Sequence, residues 1–331
     1  RICGFLINKF RGDESLLRPG VTMMEHRLDL PCVGIVPYLP DLGLDEEDGV
    51  ALEDRASTRR RWKNLENGPE RPLRVGVIAL PHMANFTDFD TLALEPSVSL
   101  AFLEQPEEMA IADLLILPGS KQTLDDLEWL DCHGFSQELR RLCEKETALM
   151  GICGGLQMLG SLIEDPHGIE NQGKPRTRTG LGCLPARTIL HTEKTVRRVR
   201  GCVRSKFLGQ SLCPETHFQG YEIHVGETVY ENGAEPFAEI VREGIPGFVP
   251  DGAVCASGRV LGTYVHGLFD KDDFRHSFLA ALRIDVGLAP AETWANVTAE
   301  RGGRIDCLAD HLRRSLDMNR IRSWITAPSK R

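Results

Sequence analysis

The stretch Ala-Leu-Met-Gly-Ile-Cys-Gly-Gly-Leu-Gln-Met-Leu-Gly at residues 148–160 limits the possible folds more than any other part of the chain. It begins as a short apolar run of strand type and takes on helical spacing after the glycines. Cys153 stands at the junction, with Gly151 two positions before it and Gly154 and Gly155 directly after. A sharp strand-to-helix turn that pushes one side chain into a cleft crowds its own backbone, so its neighbours must be small. The start of the helix behind the turn favours a thiolate, the nucleophilic form of cysteine. The frame therefore reads as a nucleophile elbow presenting Cys153. A cysteine without such a frame would be read as a buried structural residue.

An elbow of this kind belongs on a parallel α/β sheet, and 331 residues are enough for that sheet and a second domain. A net charge of −9 argues against a general nucleic-acid binder. No apolar run is long enough to span a bilayer, and the first residues do not read as a signal peptide. The ten cysteines include no C-x-x-C pair, which disfavours a disulfide framework or a zinc site and fits the reducing cytoplasm. The chain opens on Arg1 and runs straight into apolar residues, which reads as a fragment.

Taken in order, residues 2–7 read as a strand, 15–29 as a helix interrupted at Pro19-Gly20, and 33–37 as a second strand. The Arg-rich text at 54–72 reads as a linker. Strands are expected at 74–80, 98–103 and 113–117, helices at 123–130 and 135–145, and then the elbow. After Gly180 the pattern becomes short β-rich segments at 187–203, 220–228, 253–257 and 260–265. Helices are expected at 271–283 and 291–318, and the tail after Arg320 carries no assignment.

A cysteine nucleophile needs a base or an ion-pair partner. His266, at the end of Gly-Thr-Tyr-Val-His-Gly, is the best mounted of the ten histidines because a strand delivers it to a loop edge. The backbone N–H groups of Gly119, ending an earlier strand, and of Gly154 are candidate oxyanion donors.

The stretch Gly151 to Gln157 resembles the nucleophile motif of class I glutamine amidotransferases, and Leu-Pro-Gly-Ser-Lys at 117–121 resembles their oxyanion loop. The chain further resembles the cobyric acid synthase family of cobalamin biosynthesis. The residues that carry this are Gly-Phe-Leu-Ile-Asn-Lys-Phe-Arg-Gly-Asp at 4–13, Asn-Phe-Thr-Asp-Phe-Asp at 85–90, Gly-Tyr-Glu-Ile-His-Val-Gly at 220–226 and Tyr-Val-His-Gly-Leu-Phe-Asp at 264–270. The resemblance implies a flavodoxin-like parallel sheet at 73–284, and before it the end of a dethiobiotin synthetase-like P-loop domain at 1–53. The remaining segments are the linker at 54–72 and a helical extension at 285–331.

It also implies Cys153 as nucleophile, His266 as base and Gln157 as a residue that helps hold substrate. The nitrogen donor would be glutamine. The acceptor would be a corrin polycarboxylate, adenosylcobyrinic acid diamide, activated as an acyl phosphate by an amino-terminal synthetase domain that uses ATP and Mg. No cofactor or metal is expected on this chain, since no G-x-x-x-x-G-K-[ST] loop occurs in it.

One departure is plain. Amidotransferases of this class usually carry His-x-Glu, whereas Gly267 and Leu268 follow His266, so the orienting carboxylate is missing from its customary place. Glu222 and His224, on one face of a strand, are the candidates to replace it or to contact substrate. The alternatives are a cobyrinic acid a,c-diamide synthase, a stand-alone cysteine hydrolase on the same fold, and a non-catalytic binding module.

Overall fold

A computed structural model describes residues 2–39, 62, 68–208, 216–231 and 233–326. They fall into two compact units, Arg1–Asp45 with Thr298–Arg331 and Glu46–Val297. Of the linker expected at 54–72, only Trp62 and residues 68–72 are described. Trp62 is buried and donates its indole N–H to the backbone oxygen of Ser99 at 3.0 Å.

In the first unit, β1 (Phe5–Phe10) and β2 (Cys32–Pro37) pair in parallel across the helix α1 (Glu14–Leu28). The interruption expected at Pro19 does not occur. Asp13 caps α1 by accepting the Ser15 N–H at 2.8 Å, and the helix runs through Pro19, which forgoes only its own backbone bond.

The last two helices, α7 (Val297–Ser315) and α8 (Met318–Thr326), correct the expected boundary. From Thr298 they return to the first unit instead of extending the amidotransferase domain, and α8 fills the unassigned tail. Two parallel strands cannot cover their own faces, and these helices close on them. Asp317 N–H donates to Val33 O at 2.7 Å, and a Cβ on Gly4 would lie 2.6 Å from the Trp324 ring.

The second unit holds two sheets. β3 (Leu73–Ile78), β4 (Val98–Leu103), β5 (Leu114–Leu117), β6 (Ala148–Ile152) and β14 (Val260–Thr263) run parallel. With β13 (Ala253–Val254) antiparallel at one edge, their order is β13-β14-β6-β5-β3-β4. Every residue of β5 and β6 is buried, as strands covered on both faces require. The helices of this layer are α2 (Asp90–Ala93), α3 (Thr123–Cys132), α4 (Phe135–Glu144), α5 (Gly154–Leu159) and α6 (Asp272–Asp285).

The other sheet is built on β9 (Ala186–Val203) and β10 (His217–Tyr230), an antiparallel ribbon that covers the segments expected at 187–203 and 220–228. Its part between His191 and Arg198 is exposed and charged. β11 (Ala238–Arg242) and β12 (Val249–Asp251) extend one side, and β15 (Val265–His266) the other. β7 (Leu162–Asp165) pairs with the start of β9 and with β8 (Arg176–Thr179).

A buried ion pair ties the loop after His266 to the segment between β3 and β4. Arg275 on α6 donates to Glu95 at 2.6 Å and to Phe269 O at 2.8 Å, with both charged side chains fully buried. Glu95 also accepts the Ala295 N–H at 3.0 Å. Glu95→Gln keeps the shape and takes away the buried counter-ion of Arg275, leaving only the more exposed Asp272 at 2.6 Å. Breaking one partner of such a pair costs about 3–5 kcal/mol, so urea unfolding should show a loss of that order. A loss no larger than that of an exposed ion pair would refute this role.

Candidate active site

The elbow is as tight as its glycines require. Cys153 takes φ 52° and ψ −108°, a backbone conformation an L-residue rarely adopts. A Cβ on Gly155 would lie 1.9 Å from Leu117 O, and one on Gly151 2.6 Å from the Gly155 backbone. The Cys153 N–H donates to Thr263 O at 2.8 Å, which seats the turn against β14. Its thiol points toward β10, 3.5 Å from the carbonyl of Ile223.

His266 meets this thiol from β15. Its ring is buried, and Cys153 is one of the neighbours that raise its pKa. The two side chains also converge on Gly119, where a Cβ would lie 3.2 Å from His266 Cε1 and 3.8 Å from Cys153 Cβ. On its other side the ring donates from Nδ1 to Asp88 at 2.7 Å, and the Asn85 amide approaches both ring nitrogens. The second oxygen of Asp88 accepts the Gly267 N–H at 2.8 Å. Asp88 thus holds both the ring and the backbone that carries it. The Asn85 amide lies 3.0 Å from the ring, and Tyr221 stacks on it with centroids 5.4 Å apart.

Burial alone would lower the His266 pKa. Hydrogen bonds to Asp88 and Cys153, with their charges, outweigh it and raise the value to about 10. The imidazolium form is therefore the resting one at neutral pH.

The loop that carries Gly119 is fixed by a second buried acid. Asp126 on α3 accepts the Ser120 hydroxyl at 2.6 Å and the His82 ring at 2.9 Å. Ala84 N–H donates to Gly119 O at 2.9 Å, so the loop is clamped on both sides. It abuts the elbow closely, since a Cβ on Gly154 would lie 2.9 Å from Ser120 N. Gly119 and Gly154 therefore stand together beside Cys153.

Glu222 and His224 do not orient His266. Glu222 is buried and accepts from Arg242 at 2.7 and 2.9 Å, with His224 at 3.4 Å. Burial would raise its pKa, but Arg242 and His224 hold it at about 2. The His224 ring donates to Gly226 O at 2.7 Å and stacks on Tyr264. Strand alternation sends Glu222 and His224 to the face opposite Tyr221, so they serve the sheet. Gln157, expected to help hold substrate, sits on the elbow helix. Its buried amide accepts from Thr123 at 3.3 Å and lies 3.5 Å from the Tyr264 hydroxyl, joining elbow helix to wall. The orienting carboxylate that sequence reasoning missed is Asp88. The Asn-Phe-Thr-Asp-Phe-Asp stretch carried the signal, an acid set among large apolar residues.

The profile of the CobB/CobQ-like glutamine amidotransferase domain matches residues 74–274, a span that contains Asp88, Cys153 and His266. The chain belongs to this family. It is 40% identical over 322 residues to the cobyric acid synthase of Moorella thermoacetica, covering 97% of this chain and 60% of that protein. It is 41% identical over 335 residues to the cobyric acid synthase of Clostridium acetobutylicum, covering 100% of this chain and 62% of that protein. The chain thus spans about 60% of the length of these curated relatives. PurLQS from Thermotoga maritima, at 16% identity, shares the fold with a TM-score of 0.50 over 64% of this chain and 99% of that one. Among the described residues no cluster of His, Cys, Asp and Glu is suited to a metal ion, and no helix is long and apolar enough to cross a membrane.

Two outcomes test this geometry. Gly155→Ala forces backbone against backbone, and is expected to cost about 3 kcal/mol, the upper end of ordinary overpacking, in chemical denaturation. The second concerns pH. A histidine raised from 6.5 to about 10 on folding contributes stability that is complete below pH 6.5 and lost as pH climbs through 10. The unfolding midpoint should therefore fall between pH 7 and 10, and Asp88→Asn should flatten that fall. Equal slopes in the two proteins would break the link between Asp88 and His266.

Proposed function

We propose that the chain hydrolyses glutamine at Cys153 and releases ammonia, as the glutaminase part of a cobyric acid synthase. The observation that carries this reading is the buried line from Asp88 through His266 to the thiol of an elbow cysteine. In this reading the Cys153 thiolate attacks the side-chain amide carbon of glutamine. The oxygen that becomes negative lies toward the N–H groups of Gly119 and Gly154, preset donors that need no reorganisation. As the C–N bond breaks, the His266 imidazolium gives its proton to the departing nitrogen, so ammonia leaves and a thioester remains. Neutral His266 then takes a proton from water, whose oxygen attacks the thioester and yields glutamate. Asp88 holds the ring at Nδ1 through both steps and steadies its cationic form.

The acceptor of the ammonia is proposed to be a side-chain carboxylate of adenosylcobyrinic acid diamide. The names of the two relatives support this over the cobyrinic acid a,c-diamide synthase reading, as do the stretches at 85–90 and 220–226. ATP and Mg would supply an acyl phosphate for the ammonia to attack. The described residues offer neither a phosphate-cradling Gly-Lys-Ser/Thr loop nor an acidic metal cluster, so no step of that activation is assigned to them.

Cys153→Ala is expected to abolish glutamine-dependent ammonia release. Asp88→Asn should lower kcat by about 10²–10⁴-fold with little change in KM, the behaviour of a base left in the wrong tautomer or orientation. His224→Ala should cost far less. Steady-state ammonia release by the four proteins checks all three. Equal losses for Asp88→Asn and His224→Ala would sink the assignment of Asp88.

A further inference from the structure

A cleft of 430 Å³ opens on the outer face of β9, β10 and β11, away from the thiol. Arg200, His217 and Lys271 line it, and Phe248, 71% exposed, stands beside them. Among the described residues, neither Arg200 nor Lys271 is engaged by a carboxylate. Of the acids in the lining, Glu239 is neutralised by Arg204 at 2.6 Å, which leaves Asp273 against the cations. An exposed aromatic ring in the loop that enters edge strand β12, with cations around it, is the composition of a ligand site rather than of a solvated face.

The cleft is not the place where glutamine sits. Gln219, in its lining, precedes by four positions the Ile223 whose carbonyl faces the thiol, about 14 Å at the rise of a strand. Glutamine spans only about 6–7 Å by standard bond lengths, so its head group cannot reach here from Cys153. The cleft is nevertheless joined to the catalytic loop. Lys271 follows directly on the 3-10 turn Leu268–Asp270 that leaves His266 and Gly267, and Gln219 shares its strand face with Tyr221, which stacks on His266.

We propose that this cleft is a second binding site, for a ligand that carries an acid group on a flat conjugated body. Arg200 and Lys271 would take the acid group, and Phe248 would stack on the flat part. Two sources offer that chemistry, a macrocyclic polycarboxylate and a nucleotide. The first would make the cleft an anchor for the amide acceptor on the glutaminase side, a choice that rests on the proposed function. The second would make it an effector site next to the His266 loop. The site itself depends on neither.

Equilibrium dialysis of the full chain against cobyrinic acid and, separately, AMP at low salt tests this. At least one probe should bind with Kd below about 1 mM. Arg200→Gln and Lys271→Gln should each weaken it about tenfold, and Phe248→Ala by about three- to tenfold. Circular dichroism and an unchanged rate of ammonia release would show that the variants are folded. Binding of cobyrinic acid alone identifies the acceptor source, binding of AMP alone the nucleotide source, and binding of both the shared chemistry. No binding of either probe, or binding that Arg200→Gln and Lys271→Gln leave intact, overturns the proposal. Cys153→Ala separates this from the catalytic reading, since it removes ammonia release and should leave probe binding unchanged.

Discussion

A carboxylate buried beside His266 is the constraint on which the catalytic geometry depends. Asp88 is almost wholly removed from water, and an ionised carboxylate in that position is tolerated only when donors surround it. It finds them in the His266 ring and the Gly267 N–H, which are the groups that must be held. Its own need for partners therefore fixes the base. Seven residues on, Glu95 repeats the arrangement with Arg275. The segment between β3 and β4 is thus bolted at two points to the stretch that runs from β15 into α6. Neither bolt is dispensable to the other, because a shift of α6 would carry Gly267 away from Asp88.

Close approach of backbones is the second constraint, and it explains why the nucleophile sits on glycines. Leu117 O occupies the place a Gly155 side chain would need, and Leu156 does the same at Gly262. α5 can lie this near to β5 and β14 only without those side chains. The short distance is also what brings the loop at Gly119 beside Gly154. An oxyanion site made of backbone donors requires such contact, since N–H groups cannot extend toward a substrate as side chains do.

The elbow and the parallel strands were legible in the sequence because each is local, and His266 was singled out by its place at a strand end and by the family resemblance. Each shows as a glycine frame, an apolar run or a residue at a strand end. Asp88 was not legible as a catalytic neighbour, because its partner lies far along the chain and only the packing of two sheets joins them. Glu222 drew attention for the opposite reason. It pairs across the sheet with Val265, next to His266, yet the two-residue period of β10 turns it to the other face, where Arg242 claims it. The return of α7 and α8 to the first unit left no local mark at all. It is encoded in Gly4 and Gly34, whose missing side chains make room for Trp324 and for the backbone at Ser315.

The two sheets divide the chemistry, and a single residue joins them. β14 lies in the parallel sheet beside β6 and accepts the Cys153 N–H at Thr263. β15 begins two residues later and pairs with β10 in the other sheet, where it carries His266. The chain changes sheets at Tyr264, whose N–H is held by Asp251 at 3.1 Å and whose hydroxyl accepts from Thr228 at 3.0 Å. Gln157, four residues after the nucleophile, reaches the same hydroxyl. The crossing is therefore anchored from both sheets and from the elbow helix. Cys153 and His266 come together because one strand, passing from sheet to sheet, holds the first by its backbone and delivers the second by its side chain. A displacement of either sheet would have to break the buried bonds at Tyr264 before it could part the sulfur from the imidazole. The alignment needed for proton transfer is in this way set by the core itself.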